Sequence, residues 1–373
     1  MGDKHLNNLL QAFNGSNYIY KLSFDKTLAD SYVAADLNTL FVSEMTATLL
    51  PENKSFNITE EELSYLVNLG ESACIEINSS KKIASAFGML NDNTLYITDK
   101  CNSNCIMCPM AEPVRKNGHT VPFEIQDELI RYMPCGMEHM TITGGEPFII
   151  KGKLFDILQK LKVGNKARSY LLLSNGRVFA SHEYCHKFAE VVPEDFLVGI
   201  PLHGPIDEIH DTISQAPGSF VQTTAGIKNL LATKMVSVEI RIVVSKLNAK
   251  YLVQLAEYIV RNYPSVDSVK FMGMEMLGNA NVNSEKVWIP YEEAFKYICP
   301  AIDVLVDNAI DVAIYNFPLC FVERPYWNLC ANSITAYKIK YAKACANCKE
   351  KNACGGMFTG TDRFLANSVK PIL

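Results

Sequence analysis

The sequence predicts an α/β fold built on a parallel sheet, and two observations lead to this prediction. From about residue 92 to about residue 275, short apolar strands alternate with helical stretches. Such alternation is typical of parallel strands joined by right-handed helical crossovers. In addition, the polar segments that could carry chemistry follow directly after predicted strands, and loops at the carboxyl ends of strands form the active face of barrel folds. We therefore expect these segments to meet at one face.

Six strands and five helices make up the predicted repeat. The predicted strands are Thr94–Thr98, His139–Thr143, Ser169–Ser174, Phe196–Leu202, Val236–Val244 and Ser268–Met274. The predicted helices are Phe123–Met133, Lys153–Leu161, His182–Ala189, Ser219–Thr233 and Ala249–Asn262. In the fifth strand, aliphatic side chains alternate with Glu239 and Arg241, which are therefore expected to point into the barrel. A charge there needs a partner or a ligand. Arg241 is thus a candidate for binding a carboxylate, and a mutual ion pair with Glu239 is the alternative.

The chain divides into three predicted parts, residues 1–90, 91–280 and 281–373. The first is predicted to be a small β-rich domain, and its expected strands are Lys21–Phe24, Leu40–Val42, Ala73–Asn78 and Ile83–Phe87, the last two forming a hairpin through Ser79–Lys82. The second part is the α/β repeat. In the third, a helix over Tyr291–Asp307 and a strand over Asp311–Tyr315 precede a cysteine-bearing tail.

Composition narrows the class of protein. The 373 residues carry a net charge of −5 and have a sequence pI of about 5.9, which disfavours nucleic acid as the main partner. The sequence has no secretory signal and no apolar run long enough to cross a membrane, so we expect a soluble cytoplasmic protein. In that compartment, the 12 cysteines are better explained as metal ligands than as disulfides.

Three cysteines in the spacing Cys101-x3-Cys105-x2-Cys108 follow the first predicted strand. Three thiolates can hold three irons of a [4Fe–4S] cluster and leave the fourth iron open for chemistry. A cluster used only for electron transfer, or a structural zinc ion, usually takes four protein ligands. We therefore predict that these cysteines are metal ligands at a catalytic centre.

The next strand runs into the segment Gly144-Gly145-Glu146-Pro147. Glycines without a Cβ allow the backbone to approach a ligand closely. The Glu146 carboxylate is suited to an ammonium group, and Pro147 ends the strand. Further polar residues end the third and fourth strands, namely Ser174, Asn175 and His203.

The tail holds a second cysteine set, Cys320, Cys345, Cys348 and Cys354. Four thiolates suit either a fully ligated [4Fe–4S] cluster or a structural zinc ion, and we favour the cluster. Cys330 lies between the first two and could replace one of them. The remaining cysteines are predicted to be core residues, and they are Cys74, Cys135, Cys185 and Cys299.

Together, the cysteine spacing and the Gly-Gly-Glu-Pro turn resemble the radical S-adenosylmethionine (radical SAM) superfamily. This resemblance implies a partial six-stranded barrel. It also implies that the methionine moiety of S-adenosylmethionine chelates the open iron, with its ammonium group held by the turn at Glu146. Ser174, Asn175 and His203 would contact the carboxylate and the ribose, and Arg241 is a further candidate for the carboxylate. The residue before the third cysteine is usually aromatic in this superfamily but is Met107 here, so backbone groups would have to hold the adenine.

Several longer segments resemble one subfamily, the C component of the His-Xaa-Ser radical SAM maturases. The segments are His210–Thr212, Pro217–Phe220, Val238–Val244, Met272–Gly278 and Tyr315–Cys320 with the tail cysteines. The resemblance implies a partner polypeptide with His-Xaa-Ser repeats and a second radical SAM component. Relatives in the superfamily often carry an auxiliary cluster in a C-terminal extension of the SPASM or twitch type, and the cysteine spacing of this tail resembles the SPASM spacing without matching it.

The predicted activity follows from this resemblance. An external one-electron reductant such as flavodoxin or ferredoxin would drive cleavage of S-adenosylmethionine to methionine and a 5′-deoxyadenosyl radical, which abstracts hydrogen from a peptide or protein substrate. The alternatives are a radical SAM enzyme for a small molecule or nucleotide, an iron–sulfur protein for electron transfer or redox sensing, and a structural zinc protein.

Overall fold

The computed structural model describes residues 7–12, 18–78, 80, 82–89, 93–335, 338–365 and 367–373. Its N-terminal part contains a six-stranded sheet in the order β4-β3-β2-β1-β5-β6. The strands are β1 (Tyr18–Ser23), β2 (Thr39–Ser43), β3 (Thr46–Leu50), β4 (Lys54–Asn57), β5 (Cys74–Ile77) and β6 (Ile83–Phe87). The helices of this part are α1 (Asn7–Gln11), α2 (Lys26–Ala34) and α3 (Glu60–Leu69).

The expected strands of this part are confirmed, including the antiparallel β5–β6 pair. Two residues of its predicted turn, Ser79 and Lys81, lie outside the described residues, as do residues 90–92 at the predicted domain boundary. Strands β3 and β4 have no counterpart in the predicted set. β4 is mostly exposed and reads Lys-Ser-Phe-Asn, so its sequence carries no apolar strand pattern.

The second sheet has eight strands in the order β14-β13-β12-β11-β10-β9-β8-β7. They are β7 (Asn93–Tyr96), β8 (Met137–Thr143), β9 (Ala167–Leu173), β10 (Phe196–Pro201), β11 (Ser237–Val243), β12 (Ser268–Met272), β13 (Asp311–Tyr315) and β14 (Cys330–Ala331). All neighbouring strands pair in parallel. The predicted α/β class is confirmed, and β7–β12 coincide with the six predicted strands.

Two strands extend this sheet beyond the six expected ones. β13 has the predicted bounds and pairs with β12 over five residue pairs, starting at Ser268 opposite Asp311. β14 contains only two residues, too few to show a periodic pattern in the sequence. The sheet therefore continues past residue 280, and the predicted division of the chain at that residue stays a prediction.

Helices between the strands bury the outer face of the sheet. They are α4 (Glu112–Asn117), α5 (Phe123–Tyr132), α6 (Gly152–Val163), α7 (His182–Val191), α8 (Asp207–Ser214), α9 (Ser219–Thr233) and α10 (Leu252–Asn262). In α6, Leu154, Ile157, Leu158 and Leu161 are fully buried at the spacing of one helix face. Burying each such side chain contributes about 1.5–3 kcal/mol. This packing leaves the opposite face and the carboxyl ends of the strands for polar residues.

The start of α9 explains the Pro217–Phe220 segment. The Asp211 carboxylate accepts hydrogen bonds from the backbone N–H groups of Gly218 (2.6 Å) and Phe220 (2.7 Å) and from the Ser219 hydroxyl (2.8 Å). Gly218 has a φ of +77°, a conformation that favours glycine. The carboxylate thus satisfies free N–H groups at the helix N-terminus, where negative charge is favourable.

The C-terminal part begins with α11 (Gly278–Val282), α12 (Ser284–Val287) and the predicted helix α13 (Tyr291–Asp307). After β13, the chain forms short 3₁₀ turns at Leu319–Phe321, Arg324–Leu329 and Lys343–Asn347. An antiparallel pair, β15 (Ile339–Lys340) and β16 (Met357–Phe358), and the short helix α14 (Asp362–Leu365) complete it. Among the described residues, no helix combines the length and apolar character that a membrane span requires.

Candidate active site

The cysteine loop leaves the carboxyl end of β7, and its three cysteines are half-buried. Burial raises the pKa of Cys101, Cys105 and Cys108, and that of Cys105 reaches about 12. The charges of Cys108 and Cys101 raise the pKa of Cys105 to a smaller extent. Thiols in this environment become thiolates when a metal binds them, because the metal replaces the proton. The donor set fits an iron–sulfur cluster.

Side chains from other segments hold the backbone of this loop, and Arg115 and Asn279 are among them. Arg115 of α4 donates to the carbonyls of Ser103 (2.9 Å) and Met110 (3.2 Å) and to Asn104 Oδ1 (2.5 Å). The Asn279 amide of α11 donates to the Cys105 carbonyl (3.1 Å). Hydrogen bonds from outside the loop thus hold its backbone in shape.

The two glycines of the Gly-Gly-Glu-Pro turn pack against the same loop. The Gly145 N–H donates to the Thr98 carbonyl (2.7 Å), and the Glu146 N–H donates to the Lys100 carbonyl (2.8 Å). A Cβ added to Gly144 would lie 2.5 Å from the Thr98 oxygen, and one added to Gly145 would lie 2.3 Å from the Lys100 oxygen. The structure therefore requires these glycines for contact between two backbone segments, which the sequence analysis attributed to a ligand.

Glu146 is buried and joins the turn to the end of β9. Its carboxylate accepts hydrogen bonds from the Phe148 N–H (3.1 Å), the Ser174 hydroxyl (3.0 Å) and the Asn175 N–H (2.7 Å). Burial raises the pKa of this carboxyl group, while these hydrogen bonds act in the opposite direction. Pro147 begins a 3₁₀ turn over Pro147–Ile150 immediately after it.

Asn175 extends this network back to the cysteine loop. Its side-chain amide donates to Asn102 Oδ1 (2.6 Å), and Arg177 donates to the Asn102 carbonyl (2.9 Å). Glu146 also raises the pKa of Cys101, after the larger effect of burial. The structure thus brings the cysteine loop, the Gly-Gly-Glu-Pro turn and the Ser174-Asn175 segment together at the carboxyl ends of β7, β8 and β9.

His203 follows β10 and is buried beside a second histidine. Its backbone N–H donates to His210 Nδ1 (3.1 Å), and the two rings stack with centroids 5.7 Å apart. Within the described residues, His203 Nδ1 is buried without a hydrogen-bond partner. Burial, and to a lesser extent His210, lowers the pKa of His203 to about 3. His203 is therefore neutral at physiological pH.

Arg241 and Met107 complete the predicted site residues. Arg241 Nε donates to Glu239 Oε1 (2.5 Å), and Glu239 is buried while Arg241 remains partly exposed. The aliphatic residues that alternate with this pair, Val238, Ile240 and Ile242, are fully buried. Met107 is buried in an apolar cluster with Ile213, Met274 and Met276. The ion pair that was the alternative for Arg241 is present. Neither Arg241 nor Met107 joins the hydrogen-bonded network around Glu146 in the described part of the chain.

The four tail cysteines line one apolar cavity, together with Met357, Val369 and Pro371. Backbone N–H groups point at two of the sulfur atoms: Leu319 and Gly356 donate to Cys354 Sγ (3.4 and 3.5 Å), and Ile372 donates to Cys348 Sγ (3.4 Å). Such contacts are typical of metal-bound thiolates. In the described part of the chain, no three His, Cys, Asp or Glu side chains are arranged around a single-ion site.

The remaining cysteines differ in their surroundings. Cys330 is not among the residues that line the tail cavity, and its thiol points at the Tyr326 carbonyl (3.8 Å). Cys74 and Cys185 are buried core residues, as predicted. The same prediction is wrong for Cys135, which is exposed, and holds only in part for Cys299, which is half-buried. Cys135 follows Pro134 at the end of α5, where the chain turns at the surface.

Comparison with known proteins identifies the central part of the chain. Residues 95–259, which include the cysteine loop and the strands up to β11, match the family model of the Radical SAM superfamily. This segment is similar to the radical SAM domain of that superfamily. Such a domain implies a [4Fe–4S] cluster and S-adenosylmethionine as cofactors. The eight-stranded sheet and the small N-terminal β domain agree with the radical SAM fold.

Two proteins that are similar in sequence are GTP 3′,8-cyclases. The chain is 28% identical to the GTP 3′,8-cyclase of Petrotoga mobilis over 154 residues, 40% of this chain and 46% of that protein. It is 33% identical to the GTP 3′,8-cyclase of Geobacter sulfurreducens over 100 residues, 26% of this chain and 30% of that protein. The chain thus spans less than half the length of either relative.

Among solved structures, SuiB of Streptococcus suis bound to its precursor peptide SuiA is similar with a TM-score of 0.50 and 11% identity. The match covers 83% of this chain and 65% of SuiB. At this identity, the similarity shows a common fold.

Sequence reasoning missed the side chains that hold the cysteine loop, namely Arg115, Arg177 and Asn279. Arg115 lies seven positions after Cys108 in a short helix whose sequence has no recognisable motif. Asn279 lies 174 residues after Cys105 in the sequence. Only Arg177, which follows the Ser174-Asn175-Gly176 turn, was close to a predicted site in sequence.

Proposed function

We propose that this protein is a radical SAM enzyme that abstracts hydrogen from a peptide or protein substrate, as a maturase of the His-Xaa-Ser type would. With its reductant, the cluster and S-adenosylmethionine supply the 5′-deoxyadenosyl radical that performs this step. The observation that supports the proposal best is the network through Glu146, which joins the cysteine loop to the two polar turns at the same end of the sheet.

The residues of this network have separate roles in the proposal. Cys101, Cys105 and Cys108 hold three irons and leave one iron for the methionine moiety of S-adenosylmethionine. A carboxylate offers about four acceptor positions, and three donors occupy Glu146. The remaining position is available to the ammonium group of the cofactor. Gly144, Gly145 and Pro147 hold the turn that presents this carboxylate.

The other cofactor contacts are proposed from strand ends. Ser174 and Asn175 lie beside Glu146 and are candidates for the methionine carboxylate. Arg241 uses only its Nε atom in the pair with Glu239, so both terminal nitrogens remain available for a carboxylate. His203 is a neutral candidate for a ribose hydroxyl. Met107 is buried in an apolar cluster, which leaves the adenine to backbone groups.

The peptide substrate is supported by the subfamily resemblance and by the cysteine-lined cavity of the tail. SuiB, which has the same fold, was solved with a precursor peptide, so this fold can accommodate such a substrate. We propose an auxiliary [4Fe–4S] cluster at Cys320, Cys345, Cys348 and Cys354. We also propose that the protein acts in the cytoplasm together with a second radical SAM component. Flavodoxin or ferredoxin would be its external reductant.

Replacing Cys101, Cys105 and Cys108 together with alanine tests the central proposal. Under dithionite, the anaerobically reconstituted wild type should form 5′-deoxyadenosine from S-adenosylmethionine, and the triple variant should form none. Cys135→Ala is the matched control, because this cysteine is exposed and outside both sets. Continued cleavage by a folded triple variant would refute the assignment of the cluster.

Iron content tests the auxiliary site. Two four-iron clusters predict about eight irons per chain, and the triple variant should retain about four. A Cys345/Cys348 double alanine variant should also fall to about four irons, cleave S-adenosylmethionine slowly and fail to modify its true substrate. A wild type with four irons and one zinc would instead make the tail a structural clamp.

A nucleotide is the second candidate substrate, because the curated relatives are GTP 3′,8-cyclases. The two candidates can be separated in one assay. Reduced enzyme is supplied with S-adenosylmethionine and with either GTP or a His-Xaa-Ser repeat peptide. A mass change in the peptide, with 5′-deoxyadenosine formed above the substrate-free rate, supports the first proposal. A new product from GTP would support the second.

A further inference from the structure

Arg115 is a buried arginine directly behind the cysteine loop. It is 3% exposed and lies in α4, the first helix after the three cysteines. Its guanidinium group donates to the Ser103 and Met110 carbonyls and to Asn104 Oδ1, and its own carbonyl accepts a hydrogen bond from the Cys101 N–H (3.3 Å). All of these contacts are to neutral groups.

Arg115 has no ion-pair partner within the described part of the chain. The nearest acidic residue in sequence, Glu112, is solvent-exposed and pairs with Lys116 (2.5 Å). Burying a guanidinium group without a counter-charge costs several kcal/mol. A folded protein therefore rarely keeps such a group unless an anion lies beside it.

The guanidinium group lies against the segment that carries the three thiols. Its acceptors Ser103 and Asn104 stand between Cys101 and Cys105 in the chain, and the acceptor Met110 follows Cys108 by two residues. The backbone of Arg115 is also hydrogen-bonded to that of Cys101. A [4Fe–4S] core in its oxidised form, held by three thiolates, carries a net charge of about −1, and reduction by one electron makes this about −2. The cluster is thus the missing counter-charge.

We propose that Arg115 is a positioning residue that compensates the charge of the cluster and raises its reduction potential. The inference rests on the proposed cluster at Cys101, Cys105 and Cys108. A fixed positive charge in a poorly solvated site favours the more negative, reduced state of the cluster. In this way, Arg115 makes it easier for an external one-electron donor to reduce the cluster.

The test compares Arg115→Gln with Arg115→Lys. Both variants lose the planar fork of donors, but only the glutamine variant loses the charge. Each protein is reconstituted anaerobically without S-adenosylmethionine, its iron and its melting temperature are measured, and its reduction potential is determined by redox titration monitored by electron paramagnetic resonance. The signal of the three-cysteine cluster is isolated in the Cys345/Cys348 double variant background.

We expect Arg115→Gln to shift the potential to more negative values and Arg115→Lys to stay close to the wild type. Reconstitution should also raise the melting temperature of the wild type more than that of Arg115→Gln, because only the wild type gains a charge pair. Arg177→Gln is the control. It loses hydrogen bonds to Asn102 and Ser103 of the same loop, but its side chain is half-buried, so solvent screens its charge more than that of Arg115. It should shift the potential less than Arg115→Gln does.

Two results would overturn the inference. One is an Arg115→Gln protein with full iron content and the wild-type potential. The other is an Arg115→Lys protein that loses iron or shifts its potential as much as Arg115→Gln, since the hydrogen bonds alone would then matter. Absence of iron from the wild-type loop would instead refute the proposed function, and the same iron measurement identifies that case.

Discussion

Single residues at this site act mainly through contacts between backbone segments. Gly145 packs against the cysteine loop so closely that any side chain would overlap with the Lys100 carbonyl. A substitution in the cofactor turn therefore acts first on the loop that holds the iron. The turn and the loop form one unit, although about forty residues separate them in the sequence.

We expect Gly145→Ala to lower the iron content after reconstitution and to destabilise the protein by about 1–3 kcal/mol, a typical cost of overpacking. Gly152→Ala is the matched control, because a Cβ there would have no atom within 4 Å. Iron analysis and thermal melting measure both effects. Equal iron content in the two variants would show that the close contact at Gly145 does not support the cysteine loop.

Glu146→Gln should weaken the binding of S-adenosylmethionine more than it weakens cluster assembly. The substitution removes the charge and places an amide N–H₂ among three donors. Losing a charge-assisted hydrogen bond costs about 1.5–3 kcal/mol, which corresponds to a dissociation constant about tenfold to a hundredfold higher. Equilibrium binding to reconstituted protein measures this. Parallel loss of iron and binding would make Glu146 a structural residue.

The buried histidine pair predicts a pH dependence of stability. Burial lowers the pKa of His203 to about 3 and that of His210 to about 4, from an ordinary value of 6.5. Asp211 raises and Arg177 lowers the pKa of His210 to a smaller extent. Below pH 6.5 the unfolded chain binds more protons than the folded protein. The stabilisation is therefore complete above pH 6.5 and is lost as the pH falls toward 4.

Each histidine should contribute a loss of up to about 1.4 kcal/mol per pH unit in this window. Denaturant unfolding at pH 7.5 and at pH 5.5 measures the effect, and His210→Gln should reduce the difference between the two conditions. A variant with the same difference as the wild type would show that His210 is not responsible.

At the scale of elements, α11 connects the cysteine loop at one edge of the large sheet to the end of β12, five strands away. Asn279 accepts a hydrogen bond from the Glu112 N–H (3.0 Å) and donates to the Cys105 carbonyl, while the Ala280 N–H donates to the Cys108 carbonyl (3.2 Å). The cysteine loop follows β7, at one edge of the sheet, whereas α11 follows β12. The loop is therefore held from both sides.

Asn279→Ala should remove these side-chain hydrogen bonds, destabilise the loop by about 1–3 kcal/mol and increase the rate at which iron is lost to a chelator. Asn281→Ala on the same helix is the control, because its side chain is exposed. Iron release followed by absorbance distinguishes the two. Identical release rates would show that the hydrogen bonds of Asn279 do not help the loop to retain iron.

The sequence predicted most elements and the residues around Glu146, because strand alternation, helix periodicity and short motifs are local signals. β8 to β12 and α9 appear within a few residues of their predicted bounds. By contrast, Arg115 and Asn279 act through tertiary contacts that leave no local pattern. The short β14 and the exposed β4 lack the apolar alternation on which strand prediction depends.

At the scale of the whole molecule, the sheet joins the segment that matches the Radical SAM model to the C-terminal part. β13 pairs with β12 along its full length, so removing β13 would uncover five residues of a buried, parallel strand. An uncovered strand of this kind pairs readily with other chains. The C-terminal part therefore supplies a strand that covers β12, in addition to its cysteines.

Truncation after Asp307 should therefore yield mostly aggregated protein, whereas truncation after Pro318 should yield more soluble protein. Both truncated proteins lack the four tail cysteines. The longer one additionally contains residues 308–318, which are β13 with three residues before it and three after it. The soluble fraction after expression and size-exclusion chromatography compare them. Equal solubility would show that β12 does not need this partner.

The hydrogen bonds between Asn279 and the cysteine loop also limit how this protein can be recombined with related proteins. A chimera with its junction directly after β12 would pair the cysteine loop with a foreign α11 that lacks the matching donors. The side chain of Asn283 also donates to the loop, at the Ile106 carbonyl (3.3 Å). A junction after Asn283 would therefore transfer the cysteine loop together with Asn279 and Asn283. The natural module for exchange at this site is thus discontinuous in sequence, and it ends just after α11, one short helix beyond β12.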